Sequence, residues 1–449
     1  MNNKIFSKIL VITLVCISFF LGYILRENAT GGGPEFYKLS WPIIQSFRKD
    51  FFFTINNYAT FGDGTIPFSH IINAYLNPFS DIETNFQFSV TVMSFIIFCI
   101  FVLIFKRVFS DIKLIDLLLT SSVILLLPFY RSSAFWGKNE NYGWLFFILA
   151  LYFFFEIKKN ISKNPNNKDI LNVIFFCLTS ACALYARQAL VFLPISYLLY
   201  LFFYKTNKKI IIISIISFSI FAIPGLLLIL IWGDIYDTKY MPSDAFYGHW
   251  IHPKYILINI PIILSFFGFY LLPIITIEFL NSDFKNFYNK YYKSFVFALV
   301  ILIILTYSTN YIDYLGNYIQ GGGAILKINY LILRNNFLLL LIFSSLGFSL
   351  LIRFFKEDRM NNLIFILPIF VIYGCRNPMF QYQEYYEPLI LLIFFFALKT
   401  NLQQIFFKNI SLSNVVFLSY FTIYLIGSIY FKHFAFDSYE KWKIFLGVQ

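Results

Sequence analysis

Apolar residues in this chain fall in long, almost unbroken blocks of Phe, Ile and Leu, separated by short polar linkers. Blocks long enough to cross hydrocarbon lie near residues 9–25, 86–105, 114–129, 141–156, 170–185, 189–204, 210–232, 256–280, 294–312, 337–352, 362–375, 386–398 and 412–431. A spanning helix needs roughly 20 apolar residues and several blocks are short, so about 11 to 13 crossings are expected. The expected fold class is all-α: a polytopic integral membrane protein forming a single transmembrane helical domain over residues 1–449. The first block follows Lys4 and Lys8 as a secretory signal would. It is long for a signal core and no small-residue cleavage site follows it, so an uncleaved first span is expected.

The polar linkers alternate in charge. Lys4 and Lys8, Lys106 with Arg107, Lys158 to Lys168, Lys205 to Lys209, Lys285 to Lys293, Arg353 to Arg359, and Lys399 with Lys408 occupy every second linker. The positive-inside rule places these linkers in the cytoplasm together with the N-terminus. Glu27, Glu35, Asp50, Asp63, Asp81, Glu83, Glu140, Asp234, Asp237, Asp244, Asp313, Glu384 and Glu387 then face outward, and carboxylate chemistry is expected on that side.

The first outer loop, about residues 26–85, is the longest. Ser40 is placed to cap a helix with Pro42 in its first turn, and Phe36, Leu39, Ile43 and Phe47 recur at spacings of three and four. Thr65 and Pro67 predict a second short helix, with Phe68, Ile71, Ile72 and Tyr75 on one face and His70 and Asn73 on the other. Both read as surface helices lying in the membrane interface. Cytoplasmic linkers are too short for a catalytic domain and no phosphate-binding GxxxxGK[ST] occurs, which argues against nucleotide-driven transport. No internal period or matching halves are visible, so an inverted-repeat transporter gains no support.

Composition agrees with the block pattern. Apolar residues make up 59%, charged residues 13%, and mean hydropathy is +0.70. Ordinary soluble domains carry about 25% charged residues. The formal charge of +12 is dispersed among the linkers, so no nucleic-acid-binding face is expected. The five cysteines lie in or at the ends of apolar blocks without CxxC spacing, which argues against a disulfide framework or zinc site. His249 and His252 have ligand-like spacing but no adjacent carboxylate, and Gly321-Gly322-Gly323 reads as a turn.

Several outer segments carry a resemblance. Gly31-Gly32-Gly33-Pro34-Glu35-Phe36-Tyr37, Thr65-Ile66-Pro67-Phe68-Ser69-His70, Ser133-Ala134-Phe135-Trp136-Gly137-Lys138-Asn139-Glu140 and Tyr185-Ala186-Arg187-Gln188-Ala189 are four such segments. With the long first loop and many spans, the layout resembles the GT-C superfamily of membrane glycosyltransferases. The resemblance implies transfer of a sugar from a polyprenyl-phosphate-linked donor to a glycan, lipid or protein acceptor at the outer face of a cytoplasmic (inner) membrane of bacterial type. It also implies a carboxylate that takes the acceptor hydroxyl's proton, with Glu35 the first candidate and Asp63 the rival. The paired acidic signature common at this position is a lone Glu35 here, so the choice stays open.

Arg131, Arg187 and Arg376, all in short outer turns, are the candidates to meet the departing lipid phosphate, with Arg187 and Arg376 expected to converge on it. Gln381, Tyr382 and Tyr385, in the polar aromatic stretch Arg376 to Pro388, suit sugar faces and hydroxyls, and His70 joins them as a substrate-binding candidate. A divalent metal is left open as cofactor, since no firm ligand set is visible. Two other readings compete: an O-antigen-type polysaccharide polymerase, whose largest outer loops usually come later in the chain, and a lipid-linked oligosaccharide flippase, which would want more polar residues along its spans.

Overall fold

The computed structural model describes residues 3–30, 32–63, 65–160, 165–204, 206–233, 253–308, 323–333, 337–376 and 381–434. His249, His252, Gly31, Gly64, Gly321, Gly322 and residues 377–380 lie outside these. The described residues are all-α, with no strand. Nine of their helices are long and apolar enough to cross a membrane, or up to 11 if each of two bent pairs counts as one span. This chain is a polytopic all-helical membrane protein. The bent pairs are Leu114–Leu126 with Pro128–Trp136, turned by 70°, and Gln383–Phe396 with Asn401–Lys408, turned by 90°. Such breaks expose backbone polar groups within an apolar setting, which is tolerated only where protein or a polar interior satisfies them.

The chain divides into two compact units. One comprises residues 1–12, 112–129 and 249–449. Its central helix, Ile256–Asn281, is buried over most of its length and packs along Leu338–Glu357. Gly268 and Gly347 face each other where these helices cross, and a Cβ on either would run into a backbone carbonyl of the other helix, Phe343 or Leu264. Without a hydrophobic force between helices in lipid, this close approach supplies the dispersion contact that holds the pair. At the far end of the same helix, the fully buried Glu278 binds Arg353, the Tyr291 hydroxyl at 2.6 Å and Lys290 at 3.0 Å, tying three helices together.

The other unit comprises residues 13–111 and 130–248. Its spans include Glu83–Val108, Glu140–Lys159, Asn167–Ala186 and Lys208–Trp232. A capping box between Asn166 and Asp169 starts the third of these. Residues 26–85, the long first loop of the sequence, belong here and are largely helical: Trp41–Lys49, Phe51–Asn56 and Phe68–Tyr75 are short helices.

Two local expectations change. Ser40 makes no side-chain cap, because the chain already runs helically from Phe36 through a π-helical turn into Trp41–Lys49. Pro67 rather than Thr65 flanks the second helix, and the Thr65 hydroxyl instead accepts from Asn139 Nδ2 at 3.2 Å. Phe36, Ile43 and Phe47 are fully buried, so the first apolar stripe faces protein. The Phe68–Tyr75 helix is turned the other way. Its polar residues Ser69, His70 and Asn73 are at 0% exposure while Tyr75 is 52% exposed. A helix that buries its polar face places hydrogen-bonding groups in an interior.

A polar interior built by the first loop

Three breaks in regular structure assemble this interior. The Pro128–Trp136 helix ends at Gly137, whose φ of +61° only glycine adopts without strain, and a Cβ there would also strike the Phe86 ring. Lys138, Asn139 and Glu140 follow at once. At the end of Asn167–Ala186 the chain turns extended at Arg187, and Gly143 leaves the space in which the Arg187 side chain packs. The first loop supplies Glu35, Tyr58, Asp63, His70 and Asn73.

The charges pair across these pieces. Lys138 Nζ lies 2.6 Å from Glu35 Oε2, with the lysine side chain 6% and the glutamate 43% exposed. Arg187 Nη1 lies 3.8 Å from Glu140 Oε1, and its guanidinium sits over the Trp144 ring at 5.3 Å. Lys138 and Arg187 are both within electrostatic reach of Glu140, which accepts from Ser133 at 3.5 Å. The two ion pairs therefore form one cluster, with two buried cations facing two carboxylates. Buried charges are costly unless paired, and cations held this way keep their charge ready for an anion.

A second arm begins at Asp63. Its Oδ1 accepts from the Thr65 backbone N–H at 2.9 Å and its Oδ2 from the Tyr58 hydroxyl at 3.1 Å. The same hydroxyl lies 3.1 Å from His70 Nδ1, and Asp63 Oδ2 is 3.8 Å from that nitrogen. Trp232 stacks on the Tyr58 ring at 5.8 Å and donates to the Ile55 carbonyl. Burial lowers the His70 pKa below its ordinary 6.5, against the opposing pull of Asp63 and Glu140. Burial and the Asp63 charge push the Tyr58 phenol well above its ordinary value. Asn73 Oδ1 accepts from the Tyr142 hydroxyl. Among the described residues, His70 Nε2, Asn73 Nδ2, Asn139 Oδ1 and Asn141 Oδ1 are buried and have no hydrogen-bond partner.

The sequence candidates thus sort by place. Asp63, His70 and Arg187 stand in this interior, with the half-exposed Glu35 at its edge on Lys138. Arg131 belongs to the same unit but is committed elsewhere: its guanidinium is 2% exposed, donates to both Glu27 oxygens at 2.6–3.1 Å, and lies between the Phe19 and Phe135 rings. That buried, bidentate pair closes the entry to the first loop, with Trp136 Nε1 donating to the Glu27 carbonyl at 2.9 Å.

Arg376, Gln381, Tyr382 and Tyr385 lie in the other compact unit. Arg376 stacks over Tyr385 at 4.0 Å, and the Tyr382 and Tyr385 rings are 5.8 Å apart. Gln381 donates to the Tyr373 carbonyl and accepts from the Tyr386 hydroxyl at 2.8 Å. Sequence reasoning assigns no role to Tyr58, Lys138, Asn141 or Tyr142. Lys138 and Glu140 do sit in one of the segments that carry the resemblance, and a Lys and a Glu close together beside a glycine are the one available signal. No group of three or more His, Cys, Asp or Glu among the described residues stands in a metal-holding arrangement.

A helical membrane protein whose long first loop buries paired charges and unmatched polar atoms is the class that fold and site define. No known protein family, curated protein or solved structure matches the chain significantly.

Proposed function

We propose that this protein is a membrane glycosyltransferase that moves a sugar from a polyprenyl-phosphate-linked donor to an acceptor hydroxyl. By the positive-inside argument the reaction faces away from the cytoplasm. The observation that carries the reading is the Glu35–Lys138 and Glu140–Arg187 cluster, set in a polar interior made by the first loop. The leaving group of such a transfer is a phosphate that gains negative charge in the transition state. Fixed cations in a water-poor setting stabilise that charge far more than they could in bulk water. Arg187 offers a fork of donors and Lys138 a point charge, and both are held in place by carboxylates that a phosphate can partly replace. Unmatched amide and imidazole atoms nearby suit the hydroxyls of a sugar, which are both donors and acceptors.

The test is transfer by the purified full chain in liposomes, offered a set of radiolabelled polyprenyl-phosphate sugars. Incorporation of label into a lipid or polymer product, with release of polyprenyl phosphate, supports the reading. Glu35→Gln, which removes the carboxylate that positions Lys138 at 2.6 Å, and Asp63→Asn are both expected to lower transfer about tenfold or more. Neither binding nor transfer of any such donor would overturn it.

A further inference from the structure

We propose that His70 Nε2 is the atom that takes the proton from the acceptor hydroxyl, and that Asp63 acts on it through the Tyr58 phenol. The proposal rests on the glycosyltransferase reading and adds to it the identity of the base and the class of group it meets.

The argument turns on counting protons. The Tyr58 hydroxyl stands between two acceptors, Asp63 Oδ2 and His70 Nδ1, each at 3.1 Å, with the Thr65 side-chain hydroxyl as a further neighbour that donates toward the phenol oxygen, and a phenol has one proton to give. That proton is firmly held, because burial and the neighbouring carboxylate oppose ionisation of Tyr58. It goes to Asp63, since a bond to an ionised acceptor is stronger than one to a neutral imidazole. The phenol oxygen must then accept from Nδ1, which places the single proton of neutral His70 on Nδ1. Nε2 is left as a bare lone pair. The arrangement is pinned at its far end by the Thr65 amide on Asp63 and by Trp232 stacked on Tyr58.

Nε2 is fully buried and has no partner among the described residues. An unmade buried acceptor carries a desolvation cost, which is retained where a ligand brings a donor. Asn73, three residues on and on the same helical face, has its oxygen held by Tyr142 and its Nδ2 donor unmatched. An acceptor and a donor one turn apart fit an alcohol hydroxyl and its neighbour on a polyhydroxylated ring. In the reaction the O–H proton passes to Nε2 while the oxygen's electron pair forms the bond to the anomeric carbon. The bond from that carbon to the phosphate oxygen breaks, and polyprenyl phosphate leaves with its electrons. The imidazolium so formed faces Asp63 through Tyr58 and feels Glu140, itself flanked by Lys138 and Arg187.

The experiment has two arms, both on the full chain in liposomes. With ¹⁵N-histidine labelling, the chain's four histidines give separable signals, and His70 is assigned by its loss in His70→Gln. Nε2 is expected to be unprotonated at neutral pH, and Tyr58→Phe should release that preference. In the transfer assay, His70→Gln should lower turnover about 100-fold or more with donor binding retained. Tyr58→Phe should cost less and shift the acid limb of the kcat/KM profile. A protonated Nε2 in the unaltered protein, or near-normal turnover by His70→Gln, overturns the proposal. Failure of the unaltered protein to use any polyprenyl-phosphate sugar defeats the glycosyltransferase reading and the proton-transfer role with it, while the tautomer still reports whether the Asp63–Tyr58–His70 chain of bonds exists.

Discussion

Each compact unit buries a polar network around a glutamate or aspartate and a tyrosine, and the two are finished differently. In the unit containing residues 249–449, Glu387 is 1% exposed and accepts from the Phe129 backbone N–H and the Tyr270 hydroxyl, each at 2.7 Å, and from the Tyr424 hydroxyl at 3.1 Å. Gln383 donates to both tyrosines at 2.7 and 2.9 Å and accepts from the Ala324 N–H at 2.6 Å. Both glutamine side-chain atoms and both carboxylate oxygens have partners. In the unit of the first loop, Asp63, Tyr58 and His70 begin a similar chain, but it ends at a bare Nε2 beside other unmatched atoms. A saturated network fixes a packing and asks for nothing more. One left open at a single end stores a cost that only something entering the interior can remove.

The comparison predicts opposite consequences for substitution. The largest effect is expected in the open network. Arg187→Lys keeps the charge beside Glu140 and loses the planar fork, so transfer should fall about 10²–10³-fold while thermal unfolding in detergent changes little. Equal loss of activity and of unfolding temperature would place Arg187 with the structural pairs instead. A smaller, purely structural effect is expected in the closed one. Glu387→Leu leaves two phenols and an amide without their acceptor and should destabilise the fold by about 2–3 kcal/mol. Donor affinity of the folded fraction should be unchanged, and an intact unfolding transition would show that the network is not what holds these helices.

The helices were legible because hydropathy blocks of this length have few other solutions in a bilayer, and all-α architecture follows from them. Breaks inside blocks were not. Residues 114–129 read as one span, yet the chain breaks by 70° between Leu114–Leu126 and Pro128–Trp136, and Lys138 and Glu140 follow directly on the second helix. The orientation of the Phe68 helix was also hidden. Its pattern separates His70 and Asn73 from Phe68 and Tyr75 correctly, but periodicity does not say which face is inward when the surroundings of a protein are lipid. Glu35, Asp63, His70 and Arg187 were readable as residue types in the long first loop and in a short linker expected to face outward. Arg131 had the same signature, and only its pairing with Glu27 distinguishes it. Tyr58 could not be found from sequence, since a tyrosine in a chain with 32 of them carries no signal of its own.

The smallest expected effect concerns pH and separates the open network from the closed one without any substrate. Burial lowers the His70 pKa in the folded protein below the ordinary value of 6.5. Between the two values the unfolded chain therefore binds more protons at this position than the folded one, so stability falls as pH falls. The contribution of neutral His70 is fully present above about pH 6.5 and is lost progressively as pH drops through that value toward the lower folded one. Asp63 and Glu140 oppose the shift by favouring the imidazolium, which keeps the effect small. Unfolding temperatures measured on either side of the ordinary histidine value should therefore drop further on acidification in the unaltered protein than in His70→Gln. Asp63→Asn removes one of the two carboxylates that favour the charged ring, so it should steepen the acid loss rather than relieve it. An acid loss identical in the unaltered protein and in His70→Gln would mean that His70 is charged or solvated in the fold, and the contrast between the two networks would lose its titratable end.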